Sequence, residues 1–502
     1  MKKIIVAIFV LLLITIPYIF AATSPNGEVI FGGFLLNPKD GNSYLAKMYQ
    51  GFTGNWLFSL PFTVEIGDEK PLFTFYLFLG HIARWFRLDL IWMFHLSRVG
   101  AAGILLWTLA KFSTILFPDS PNKSDLFYVL ATVGSGMGWL LFGFGVLTSD
   151  LWVAEAFPFL SMYVNPHFPL GLGLMLWLLI LPSQIKDWRL YLLSALLGLL
   201  LSIILPFGMV IVGLVFGVKW LWRSKSTWTL HMPWEGIALI PGAIWVGVQY
   251  LITVNDPLLK IWNQQNVTQA PVIWDWIISF SPALILMFFA LNRNKMDDEP
   301  DIWKGMLIWV AAATIIQVVP FSLQRRFLLG FYIPLVGYAV QAIYSFKVKV
   351  RKWLIPVVLL LSIPTNIMII FLGFYATQTQ SEDLYINPSD LQAYAWIEET
   401  TPEDAVILCS AETGGRIPGR TGRKVVYGHE FETVYAINKL EQVADYFQDP
   451  LSENSIYWAR VNQVDYIYIG QNEEKLMDGQ KPTLGRIVYS TQEVTIFEFN
   501  SP

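Results

Sequence analysis

Residues 37–56 read NPKDGNSYLAKMYQGFTGNW and residues 62–76 read FTVEIGDEKPLFTFY. Asp40 precedes a predicted helix that sets Tyr44, Met48 and Phe52 on one stripe and Lys47 and Gln50 on another, the pattern of a helix lying on a membrane surface. Glu65, Asp68, Glu69 and Lys70 crowd the end of the same stretch. A carboxylate held at a membrane face can act as general base toward a hydroxyl, and a neighbouring Lys or Arg can hold a phosphate. The plainer alternative is that Asp40 only caps its helix and that the acidic cluster is a solvated loop.

Two further constellations carry chemistry. In DLWVAEAFPFLSMYVNPH (150–167), Glu155 stands in an apolar setting and His167 heads the next apolar run. A carboxylate in low dielectric either finds a cation or holds a proton and works as an acid. The alternative puts His167 at a wet helix end and Glu155 among headgroups. In SLQRRF (322–327), Arg325 and Arg326 fall on the non-cytoplasmic side by the charge count given below, and planar guanidinium forks match phosphate oxygens. Their alternative is a generic headgroup anchor.

Other charged residues read as structural. Arg98 lies inside an apolar run and pairs with a neighbour or snorkels. Gly134 and Gly138 read as a close helix contact, and Asp297-Asp298-Glu299 as a solvated turn beside Arg293 and Lys295. The loop over 255–270, with Trp262, offers carbohydrate contacts or caps two spans. Arg416, Arg420, Arg423 and His429 can face the membrane site.

The elements that position these residues follow from composition. Of 502 residues, 54% are hydrophobic and 14% charged, against roughly 25% charged in soluble domains, so a wholly soluble chain is excluded. Aromatics reach 15%, with 21 Trp, which suits many lipid–water boundaries. The net charge of −4 hides a division near Tyr375: +7 before it and −11 after it. The expected organisation is a multi-span domain over 1–375, with an external loop over 23–70, and a water-facing domain over 376–502.

A single cysteine, Cys409, rules out an intrachain disulfide, and the five histidines show no ligand spacing. There is no GxxxxGK[ST] cradle for a nucleotide, and no feature of a nucleic-acid partner. About twelve apolar runs are long enough to be read as spans, beginning with 4–22, which reads as a retained anchor rather than a signal peptide. Basic clusters (Lys347, Lys349, Arg351 and Lys352; Arg293 and Lys295; Arg223 and Lys225) mark the cytoplasmic side and put the last domain outside. Twelve spans leave the parity wrong by one. A short or re-entrant thirteenth segment near 151–164 repairs it. Beyond Tyr375, a helix over 387–400 and strands near 405–409, 465–469, 487–489 and 494–499 indicate a small α/β domain. A second helix is expected over 439–447.

The layout resembles the GT-C superfamily of membrane glycosyltransferases, which includes protein O-mannosyltransferases and the lipid A aminoarabinose transferase. The residues that carry the resemblance are Asp40, the helix over 42–51, Gly54-Asn55-Trp56 and the run from Glu69-Lys70-Pro71-Leu72 to Tyr76. Two positions depart from the family pattern: Gly41 replaces an acidic neighbour, and Leu72 replaces a second proline.

The resemblance implies a polytopic α-helical membrane protein of about 12–13 spans with a C-terminal extracytoplasmic α/β domain. It implies an inverting transferase taking a sugar from a polyprenyl-phosphate donor. Asp40 would be the general base, with Glu155 or His167 orienting the acceptor. Glu69, Lys70, Arg325 and Arg326 would serve the donor phosphate. The expected partners are membrane lipid, the polyprenyl-phosphate sugar and a glycan, lipid or protein acceptor. No cofactor is demanded, and a divalent metal is optional. The rivals are a lipid-linked sugar flippase or other transporter, disfavoured by the absence of internal repeats and by acids concentrated in loops, and a non-catalytic envelope scaffold.

Overall fold

A computed structural model describes residues 1–24, 27–224, 234–293, 300–478 and 483–499. Lys225, Lys295 and the Asp297-Asp298-Glu299 run lie outside them. The chain forms two compact units. The first comprises Met1–Ile19, His95–Val248 and Val267–Tyr375; the second comprises Phe20–Phe94, Gln249–Asn266 and Ala376–Pro502.

The protein is a multi-pass membrane protein. Among the described residues six helices are long and apolar enough to cross a bilayer, from Lys2–Thr23 to Val348–Gln378. A seventh results if Ile273–Phe280 and Ala283–Asn292, bent by 84° about a break at Ser281-Pro282, form one span. This is fewer than the twelve or thirteen runs read from hydropathy. Several of those runs form helices of only 13 to 16 residues, such as Thr74–Phe86, Arg189–Ile204 and Tyr332–Ser345. At 1.5 Å per residue such helices reach only about 20–24 Å. The run over 127–147 is cut by Gly134, Gly136 and Gly138, which stand in a loop rather than on a helix face. Side chains at Gly136 and Gly138 would overlap the Ser279 carbonyl and the Asp150 carboxylate, so close approach is their role, but not between two helices. The 151–164 stretch is a broken series: a turn at Ser149–Trp152, a 3-10 turn at Ala154–Ala156 and the short helix Pro158–Val164.

Arg98 is fully interior to the first unit and does not snorkel. Its Nη1 donates to the carbonyls of Ile14 (3.0 Å) and Met162 (3.2 Å), and its guanidinium lies 4.2 Å from the Tyr18 ring. It satisfies carbonyls that would otherwise be costly at that depth.

The second unit is built on two sheets. Strands β1 (Ile30–Phe31) and β2 (Tyr385–Ile386) pair antiparallel, with Ile30 opposite Ile386. Strands β3 (Val406–Leu408), β4 (Lys424–Val425), β5 (Tyr466–Ile469), β6 (Arg486–Ser490) and β7 (Thr495–Glu498) form a sheet in the order β4-β3-β5-β7-β6. β3 runs parallel to β4 and β5, while β7 is antiparallel to β5 and β6. Side chains alternate across a strand, so Val406, Leu408, Ile467 and Ile469 join a core with Val443 and Phe447 from helix Ala436–Gln448. Ile407 and Tyr468 face the opposite core with Tyr394 and Ile397 from helix Pro388–Thr400, and also with Ala46 and Phe62. The first loop is thereby part of the same fold as the tail.

Helix Pro38–Thr53 is therefore not a membrane-surface helix. Leu45, Lys47 and Met48 are all buried, because helix Thr74–Phe86 covers one side of it and helix Ile417–Thr421 another.

Candidate active site

Asn37 caps helix Pro38–Thr53 in the left-handed region (φ 51°), which Asn tolerates better than most side chains, and Pro38 takes the first helical position. Asp40 is therefore inside the first turn rather than ahead of the helix, where a negative charge meets the positive end of the helix dipole. The side-chain amide of Asn37 donates to its Oδ2. Gly41 has a packing reason: a side chain there would overlap the Phe34 ring. An acidic neighbour at that position has no room. Gly54 closes the helix at φ 116°, its N–H donating to Gln50 and Gly51, and Trp56 then stacks on His81 with ring centroids 3.7 Å apart.

The segment after β4 supplies two partners to this helix. His429, buried, brings Nε2 to 3.3 Å from Asp40 Oδ1, at ion-pair distance but off the line of a hydrogen bond. Its Nδ1 accepts from the Phe431 N–H (3.1 Å), so a neutral ring carries its proton on Nε2, facing the carboxylate. Two turns along the helix, Lys47 is 1% exposed and donates to Glu432 Oε1 (2.7 Å) and Ser43 Oγ (2.6 Å), with its ammonium 4.3 Å from the Phe73 ring. The sequence marked His429 only as facing the site and did not mark Glu432. No local pattern signals either contact, because the partners are 385 and more residues apart.

Lys70 has two acidic neighbours, Asp68 Oδ2 at 3.1 Å and Asp256 Oδ2 at 3.3 Å. Their hydrogen bonds hold its ammonium above the usual range, Asp68 first. Asp256 in turn caps helix Pro257–Gln265, accepting from Leu258 and Leu259 N–H at 3.0 Å. Burial pushes its carboxyl up, and the Leu259 N–H and Lys70 outweigh that, leaving it below the ordinary value. Glu69 is exposed. Arg416 donates to the Glu382 carbonyl and Arg420 to Gly32, while Arg423 is buried on the carbonyls of Thr421, Thr401 and Glu398.

In the first unit, Glu155 and Arg325 come together. Arg325 Nε lies 3.8 Å from Glu155 Oε1, and its guanidinium covers the Trp152 ring at 4.5 Å. Its main-chain N–H donates to Thr268. Glu155 is 4% exposed, and its main-chain carbonyl accepts from Gly330 N. Arg326 is half-buried on the same 3-10 turn, Gln324–Leu328. His167 opens helix His167–Gln184, its ring centroid 4.1 Å from that of Phe168.

Comparison with solved structures identifies the architecture. The oligosaccharyltransferase of Archaeoglobus fulgidus, solved in the apo form and tethered to an acceptor peptide containing the NVT sequon, superposes over 93% of this chain and 69% of its own, with a TM-score of 0.55 at 12% identity. ArnT of Cupriavidus metallidurans, solved with undecaprenyl phosphate, covers 97% of both chains, with a TM-score of 0.52 at 13% identity. The chain has a GT-C fold. No family profile matches it, and no curated protein matches it in sequence. Within this GT-C fold, no group of three or more His, Cys, Asp or Glu residues comes together as a metal site among the described residues. Asp40 and His429 alone do not make a metal cage.

Proposed function

We propose that the chain is an inverting glycosyltransferase that takes a sugar from a polyprenyl-phosphate donor and transfers it on the extracytoplasmic side, and that the second unit stands on that side. The observation that carries this reading is the Asp40 carboxylate, set in the first turn of a helix and faced by the His429 N–H, in a chain with a GT-C fold.

In the step, Asp40 takes the proton of an acceptor hydroxyl as that oxygen bonds to the anomeric carbon. The bond from that carbon to the phosphate oxygen breaks, and the polyprenyl phosphate leaves with the electron pair. Configuration inverts because the attack comes from the face opposite the leaving group. His429 is a positioning residue, its Nε2 facing the carboxylate at 3.3 Å. Arg325 and Arg326 suit the departing phosphate by their forked donors. Lys70 offers a cation to a phosphate only by exchanging a carboxylate, Asp68 or Asp256, for it.

The test is transfer from defined polyprenyl-phosphate sugars by the protein in proteoliposomes. Product with inverted configuration is expected, with turnover lost in Asp40→Asn. Full turnover in that variant sinks the mechanism, and movement of labelled lipid with no glycosidic bond formed returns the transporter reading.

A further inference from the structure

The strands of the second unit leave a crevice beside the Asp40–His429 pair. β3 lies between β4 and β5. The chain leaving β3 crosses to β4 on one side, and the chain leaving β4 returns to β5 on the other. The carboxyl ends of β3 and β5 therefore flank the point where strand order reverses, and open α/β sheets bind ligands in that crevice. A cleft of about 190 Å³ opens there, lined wholly by residues of this unit. A water needs roughly 10–15 Å³ of such space, so the cleft holds about a dozen water-sized groups, the bulk of one sugar ring.

Its floor is fixed. Glu473 is fully buried, with Oε1 accepting from Ser410 N (2.8 Å) and Oε2 from Gly470 N (2.9 Å), so it ties together the loops that follow β3 and β5. One wall is unsatisfied. Asn42 is 8% exposed, and its Oδ1 is buried without a hydrogen-bond partner among the described residues. Such an acceptor costs about 1–3 kcal/mol unless a donor reaches it.

The charge on the lining selects the donor. Five carboxylates face two permanent cations, Lys39 and Arg416, which disfavours an anion. Two of those carboxylates are already engaged: Glu382 with Lys475 Nζ at 3.1 Å, and Asp390 accepting the Tyr468 hydroxyl at 2.5 Å. A strongly cationic ligand therefore gains little. What remains is an array of amide and carboxylate acceptors with a few donors and the Tyr385 and Tyr427 rings. That is the complement of a molecule rich in neutral hydroxyls.

We propose that this cleft binds one uncharged sugar residue. Taking that sugar as part of the acceptor rests on the transferase reading, because Asn42 and His429 line the cleft while His429 also faces Asp40. Sugar binding itself does not rest on it.

The test presents the full-length protein in nanodiscs to an array of neutral, amine-bearing and uronic-acid-bearing oligosaccharides. Retention of neutral probes is expected. It should be weakened about five- to tenfold by Glu412→Ala and by Gln471→Ala, both at exposed positions of the lip, as one lost hydrogen bond implies. Asn42→Ala should weaken it at least as much. Preference for uronic-acid or amine probes, or unchanged binding in both lip variants, overturns the proposal. Normal probe binding by a protein that forms no glycosidic bond from defined polyprenyl-phosphate sugars overturns the transferase reading and leaves the sugar site standing.

Discussion

His429 Nε2 stands 3.3 Å from Asp40 Oδ1, and its other ring nitrogen is held by the Phe431 N–H. If Asp40 is the base, Asp40→Asn should lower turnover by roughly 10²–10⁴. His429→Ala, which leaves the base but frees its orientation, should lower kcat about tenfold with KM little changed. Single-turnover measurements with saturating donor check both. A His429→Ala effect confined to KM would place His429 on the substrate instead.

Lys47 and Glu432 form a pair with side chains 2% and 10% exposed. Removing one partner of a buried pair leaves a lone charge and costs roughly 3–5 kcal/mol, whereas replacing both by apolar side chains is often neutral. Lys47→Met should thus strongly lower the unfolding midpoint of the detergent-solubilised protein. Lys47→Met with Glu432→Leu should restore most of it. Equal destabilisation by the single and double variants would show that the two are not coupled.

Asp256 caps a helix and meets Lys70, and its carboxyl lies below the ordinary 3.8 in the folded protein. A depressed carboxyl contributes stability above its unfolded value and loses it as pH falls through the folded one. Asp256→Ala should cost about 1 kcal/mol at neutral pH through the lost cap. The difference from the parent should shrink below pH 3.8, as followed by thermal unfolding across pH. A difference that grows with acid would contradict the assignment.

Arg325 is held by Glu155 at 3.8 Å and by the Trp152 face. If it serves the donor phosphate, Arg325→Ala should raise the donor KM about tenfold or more, and Arg325→Lys should recover only part, since a point charge replaces a planar fork. Glu155→Gln should not mimic Arg325→Ala. Steady-state kinetics against donor concentration decide this.

The sequence made the helical membrane class, two of the tail helices (Pro388–Thr400 and Ala436–Gln448) and most of the tail strands legible, because burial imposes periods that survive in the residue pattern. It also singled out Asp40 by its local context. It did not reveal the span count, because hydropathy does not see that Gly134, Gly136 and Gly138 break one run or that other runs stop at 13 to 16 residues. Two-residue β4 was invisible for want of any alternation to read. The burial of the Asp40 helix was missed for a different reason. Its polar stripe looked solvent-facing, and the groups that meet that stripe and cover one of its sides, Glu432, His429 and helix Ile417–Thr421, come from residues about 370 or more positions further along the chain.

The pairing of Ile30 with Ile386 closes a circuit that runs through most of the polypeptide. During synthesis the helix that carries Asp40 emerges well before the residues that neutralise Lys47 and face Asp40, which follow 385 and more residues later. Contacts of such separation are slow to form. A nascent or truncated chain ending before Glu432 therefore keeps a cation with no counter-ion where the finished protein has a sealed interior. Such fragments should be marked for degradation, so the Asp40–His429 arrangement exists only in chains translated past Glu432.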